Sequence, residues 1–90
     1  MKTLEQLKED NNKANTDLLF GNAEMALNFL DLARSTQQTE DRDHSLKQAA
    51  KAYNSIVRNL SRVRLNFQQK TLINQRLSLL RARLFEVRQL

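Results

Sequence analysis

Asp43, His44 and Ser45 stand side by side and supply the three side-chain types of a serine-hydrolase triad. In such a site the base takes the hydroxyl proton while the acid orients the base, so the three groups must converge on one point. Consecutive residues at the start of a helix point about 100° apart. The run therefore reads as a polar helix start. His44 is the only histidine and the chain has no cysteine, so a zinc site would have to add carboxylates alone to one imidazole. Asp17, Glu24 and Asp31 recur every seventh residue, which sets them ~10 Å apart along a helix. Carboxylates so spaced cannot share a proton. They read as a solvated stripe or as the salt-bridge partner of a basic helix. With Gly21 the only glycine, no glycine-rich phosphate loop can be built. The residues thus predict no catalytic group, no metal ligand, no cofactor and no evident small-molecule substrate. The chain is expected not to be an enzyme.

The charge distribution says more. Residues 1–45 hold five Lys and Arg against nine acids, a net −4, whereas residues 46–90 hold ten against Glu86 alone, a net +9. Lys47, Lys51, Arg58 and Arg62 align on one helical face. Arg76 and Arg83 align farther on, as do Arg81 and Arg88. An aligned basic stripe is what a phosphate backbone selects. Yet Tyr53, Phe67 and Phe85 are the only aromatic residues of that half, and the first two fall on the expected core face, so a stacking platform for single strands is poorly supplied. Residues 45–63 faintly match a helix-turn-helix, with Ala50 and Asn54 at the small and turn positions, but no glycine marks the turn. The basic face is expected to be solvated or to pair with the acids of the first half. Phosphate contact through Lys47, Lys51, Arg58 and Arg62 is the alternative.

The elements that carry these side chains are helices. There is no proline, and Leu, Ala, Gln, Arg, Lys and Glu supply much of the chain; all are good helix formers. Thr3-Leu4-Glu5-Gln6 reads as a capping box. From it run two adjacent stripes: Leu4, Leu7, Ala14, Leu18, Gly21, Met25, Phe29 and Leu32, and beside them Leu19, Ala23, Ala26, Leu30 and Ala33. An arc that wide predicts a central helix touching two neighbours. Asn11, Asn12 and Asn15 weaken its start, so residues 1–15 are expected to fray or to form a separate short helix. Gly21 predicts either the close approach of a neighbouring backbone or a break. Residues 34–43 lack apolar side chains and read as a loop, with Thr39 or Asp43 capping the next helix.

Helix 2 places Leu46, Ala49, Ala50, Tyr53, Ile56, Val57, Leu60, Val63 and Phe67 on one face. Helix 3 carries Ile73, Leu77, Leu80, Leu84 and Val87. The phase slips between Phe67 and Ile73, which predicts a tight turn over 66–71 capped by Thr71, with one long bent helix as the alternative. The fold class is all-α: one domain over 1–90, an up-down-up bundle of three helices.

The segment Ala49-Ala50-Lys51-Ala52-Tyr53-Asn54-Ser55-Ile56-Val57 resembles the second helix of a tetratricopeptide unit, with Ala49, Tyr53 and Ile56 at the small, aromatic and aliphatic positions. Residues 23–30 would be the first helix. The pattern is also similar to three-helix microtubule-interacting-and-trafficking bundles, and to short bacterial proteins with an Ala-rich helix ending in a Lys-Ala-Tyr step. The resemblance spans about residues 20–65. The helix-joining loop is too long for a tetratricopeptide, the closing proline is missing, and no second copy follows. What the resemblance implies is a tetratricopeptide-like α-hairpin and, by analogy, a protein-binding role.

Helix 3 has more apolar residues than one core stripe needs: Leu72, Leu79 and Leu90 on one side and Phe85 on another. Exposed apolar residues in a row predict a protein partner or a homo-oligomer. Leu72, Arg76, Leu79 and Arg83, on one flank, are the candidate contact residues. No apolar run approaches the ~18 residues of a membrane span, and the start lacks the apolar core of a signal peptide. A cytoplasmic location is expected.

Overall fold

The computed structural model describes residues 1–88, so Leu90 lies outside the described residues. Three helices run through these residues: α1 over Leu4–Ser35, α2 over Thr39–Leu60 and α3 over Phe67–Arg88. α1 packs against both of the others, most extensively against α2, while α2 and α3 touch least. It is the central helix, the position expected from its sequence.

α1 starts where the capping box places it. The Thr3 hydroxyl accepts from the Gln6 N–H, and the Gln6 side chain accepts from the Thr3 N–H. The helix continues unbroken through Asn11, Asn12, Asn15 and Gly21, so residues 4–15 belong to it. The reason is visible at the asparagines: Asn12 spends its side chain on another element instead of on its own backbone, and the Thr16 hydroxyl donates to the Asn12 carbonyl at 2.7 Å.

The first loop is far shorter than its composition predicts. Only Thr36, Gln37 and Gln38 lie outside helices, and residues 39–43 form the first turn and a half of α2. Missing apolar residues mark exposure rather than irregular backbone, and Thr39-Glu40-Asp41-Arg42-Asp43 is all exposed or half-buried helix. Neither Thr39 nor Asp43 caps α2. The N-cap is Gln38, which makes no capping hydrogen bond. Glu40 and Asp41 in the first turn favour the helix dipole.

The second connection is a turn, displaced from the expected position. α2 ends at Leu60, and the Arg62 and Val63 N–H groups close tight turns onto the Asn59 and Leu60 carbonyls. Asn66 then caps α3: its side chain accepts from the Gln69 N–H at 2.8 Å, while the Gln69 side chain accepts from the Asn66 N–H at 3.0 Å. This reciprocal box starts the helix five residues before Thr71. The Thr71 hydroxyl instead donates to the Phe67 carbonyl inside α3. Phe67 is therefore no part of the α2 core face; it opens α3 and is 84% exposed.

The core is Leu19, Ala23, Ala26, Leu30 and Ala33 from α1, Ala49 and Ile56 from α2, and Ile73, Leu77, Leu80, Leu84 and Val87 from α3. All five expected α3 positions are buried. All four core alanines belong to α1 and α2, where they allow close helix approach, and the largest fully buried side chains are Leu19 and Leu30 of α1, Ile56 of α2, and Ile73, Leu80 and Val87 of α3. α1 and α3 run parallel: Asn12 meets Arg64, in the turn before α3, at one end, and Asp31 meets Arg83 of α3 at the other. Counted back by heptads from Asp31 and Arg83, that register sets Arg76 opposite Glu24 and Gln69 opposite Asp17.

Candidate interaction surface

The polar run at the start of α2 does not converge. Asp43 and His44 are exposed, and Ser45 is buried. No group of three or more His, Cys, Asp and Glu side chains that could hold a metal ion occurs among the described residues. No helix among them is long and apolar enough to cross a membrane.

The flank of α3 singled out above is a real surface feature. Leu72 and Leu79 are 42% and 41% exposed. Arg83 and Arg76 sit between them and α1. The Arg83 guanidinium reaches the Asp31 carboxylate at 3.5 Å, so the acidic stripe of α1 serves at this point as the partner of a basic helix. Arg76 is half-buried, and its Nε is fully covered with no hydrogen-bond partner. The flank is thus partly committed to holding α3 on α1.

Lys47, Lys51, Arg58 and Arg62 all face solvent on the side of α2 away from its core. Among the described residues, none of the four has a carboxylate within salt-bridge distance. Lys51 and Arg58 border a cleft with Met25 and Phe29 of α1, and Arg62 borders another with Leu18. Three of the four, Lys51, Arg58 and Arg62, thus border α1. At the same end of the bundle as Arg62, but on the α3 side of α1, a polar cleft joins Asn12, Thr16 and Lys13 of α1 to Arg64 and Gln69.

Comparison of the chain with protein families, with curated proteins and with solved structures found no match.

The largest surface feature lies on α1. Of its two stripes only the second is core. Leu18, Met25 and Leu32 are 59%, 49% and 56% exposed, and Leu4 and Leu7 are exposed beyond them. Every residue from Met1 to Asn11 is exposed, so the first two turns stand clear of the bundle. A Cβ added at Gly21 would meet nothing within 4 Å. Neither a close backbone approach nor a break accounts for this glycine within one chain. The apolar period of α1 was visible in the sequence. The split into a core stripe and an outer one was not, because the alanine-rich stripe is the less hydrophobic of the two and is nonetheless the one buried. Val57 is a smaller case of the same kind: placed on the α2 core face by spacing, it is exposed, because Ile56 beside it takes the central position.

Proposed function

We propose that the protein is a helical protein–protein interaction module that works by association, self-association included, rather than by catalysis. The observation that carries this reading is the outer row of α1, where Leu18, Met25 and Leu32 lie in line and uncovered. Aligned apolar residues on a charged surface are costly to leave in water and mark contact sites. Leu72, Arg76, Leu79 and Arg83 of α3 form a second candidate contact. The tetratricopeptide-like pattern of α2 agrees with a scaffold role: Ala49 and Ile56 are buried and Tyr53 half-buried, so that helix spends its apolar face on architecture and leaves recognition to the other two.

Two measurements test this: the mass of the purified chain in solution, and capture of proteins from a lysate of its source by the immobilised chain. A chain that stays monomeric and captures nothing overturns the reading.

The exposed rail of Lys47, Lys51, Arg58 and Arg62, unpaired among the described residues, supports a second reading, sequence-independent binding of nucleic acid through phosphates. Fluorescence anisotropy with labelled mixed-sequence DNA and RNA tests it. Micromolar binding that weakens steeply with salt would support phosphate contact; no binding at low salt would exclude it.

A further inference from the structure

We infer that the occupant of the outer α1 face is a second copy of this chain, docked parallel about a two-fold axis that runs along α1. The inference rests on the association reading above and names its partner.

The outer face has a seven-residue repeat. Leu4, Asn11, Leu18, Met25 and Leu32 occupy one position of it, and Leu7, Ala14, Gly21 and Asn28 the position three residues on. These are the two inward-facing positions of a two-stranded coiled coil. All nine residues are exposed in the single chain. The seam is ~42 Å long. It continues onto the two turns of α1 that stand clear of the bundle, where Leu4 and Leu7 have nothing else to cover them. The small residues Ala14 and Gly21 at the middle of the second row let two helices approach closely there, and at Gly21 no atom of the chain's own fold occupies the space. With the facing edge of α2 added, the strip is roughly 20 Å wide, which gives about the 800 Å² per partner of a standard specific interface.

Charge decides the orientation. Asp17, Glu24 and Asp31 line the α3 side of the seam, and Lys51, Arg58 and Arg62 line the α2 side. An antiparallel pair would lay acid on acid and base on base. A two-fold axis along α1 lays the acidic rail of each copy on the basic rail of the other. The heights also agree: Arg62 flanks Leu18, level with Asp17 of the second copy, while Lys51 and Arg58 flank Met25, level with its Glu24. Asn11 supplies the one large polar residue among four apolar ones in its row. With Asn28 in the other row the seam holds two asparagines, and a buried asparagine at such a position favours one register in coiled coils, at a cost in stability. The pairing of rails across the axis would give Lys51, Arg58 and Arg62 the carboxylate partners that none of them has among the described residues of one chain.

Sedimentation equilibrium of the full chain is expected to give twice its 10.5 kDa mass. Leu18→Glu with Met25→Glu should weaken the dimer by roughly 100-fold or more, since each charge would be buried unpaired. Both positions are exposed in one chain, so circular dichroism should remain helical. Glu24→Arg and Arg58→Glu should each weaken it by about tenfold, and the two together should restore it. Because the chain has no cysteine, orientation is read directly: Leu7→Cys alone should cross-link to itself on oxidation. Cross-linking only between Leu7→Cys and Ser35→Cys would overturn the parallel arrangement. A dimer indifferent to Leu18→Glu/Met25→Glu would overturn the seam while leaving self-association standing. A monomer whose lysate capture depends on Leu18 and Met25 would overturn the inference and leave the association reading intact. A monomer that captures nothing would overturn both.

Discussion

The side chain of Asn12 brackets the backbone of Arg64: its carbonyl oxygen accepts from the Arg64 N–H at 2.8 Å, and its amide donates to the Arg64 carbonyl at 3.0 Å. One asparagine on α1 thereby satisfies both backbone groups of a residue in the turn between α2 and α3, where no helix ladder reaches. The bracket fixes the height at which α3 begins along α1. Asn12→Ala removes both hydrogen bonds. Each contributes about 0.5–1.5 kcal/mol net, and water can replace them in part at this exposed site. We expect a loss of ~1–2 kcal/mol by urea unfolding. Asn12→Asp should be nearly as costly, because the carboxylate can accept from the N–H but cannot donate to the carbonyl. If Asn12→Ala matches the wild type, the bracket contributes nothing.

The two later helices differ in how they begin, and this predicts opposite responses. α3 has the reciprocal Asn66–Gln69 box, so Asn66→Ala should cost ~1 kcal/mol. α2 starts at Gln38, which has no capping bond. Gln38→Asp or Gln38→Ser should therefore stabilise the protein by about 0.5–1 kcal/mol, through a side-chain acceptor for the free N–H groups of the first turn and, for Asp, a favourable dipole interaction. Thermal unfolding of the three variants tests the pair of assignments. Stabilisation absent at position 38 would mean that the start of α2 is satisfied in another way.

Neighbouring residues on α2 separate burial from hydropathy. Ile56 is completely buried and Val57 is exposed. Ile56→Ala should cost ~2–5 kcal/mol, the transfer term plus the cavity left behind. Val57→Ala should change stability by less than ~0.5 kcal/mol, as surface substitutions do, and alanine's better helix propensity offsets part of any loss. In a chain this small, with stability of order 5 kcal/mol, the Ile56 variant is expected to lose its cooperative unfolding transition.

What sequence reasoning recovers and what it misses follow one physical line. The fold class, the Thr3–Gln6 cap, the central place of α1 and the whole buried stripe of α3 were legible, because each depends on local spacing or on one pattern repeated over several turns. The connections were misplaced. The polar run 39–43 is helical, and Asn66 rather than Thr71 caps α3, since a cap depends on which side chain folds back onto the backbone. The candidate surface was half legible. Leu72 and Leu79 were found from surplus apolar positions on α3. The outer row of α1 reads in the sequence as part of one wide arc touching two neighbours, because which of two adjacent stripes faces inward is decided by where α2 lies. Alanines at 23, 26 and 33 admit a close neighbour, and Leu18, Met25 and Leu32 do not.

The register of α3 along α1 has one further consequence for charge. Arg83 reaches Asp31, and the same register sets Arg76 opposite Glu24 one heptad earlier, yet the Arg76 Nε is covered without a hydrogen-bond partner. A buried donor left unpaired costs about 1–3 kcal/mol, so Arg76 is held at this site at the expense of stability. Arg76 is half-buried, and the apolar stem of an arginine can cover apolar surface. Arg76→Met keeps that coverage and removes the orphaned donor. We expect it to leave the protein as stable as the wild type or up to ~1 kcal/mol more stable. Arg76→Ala, which removes the stem as well, should be destabilising. Arg83→Ala should cost less than ~1 kcal/mol, because the Asp31 carboxylate is well exposed and such pairs contribute little. Urea unfolding of the three variants at low and high salt distinguishes these effects: the small Arg83 loss should fade with salt, and the Arg76→Met result should not depend on it. A clear loss of stability in Arg76→Met would show that the charge of Arg76, opposite Glu24, contributes more than its unpaired Nε costs.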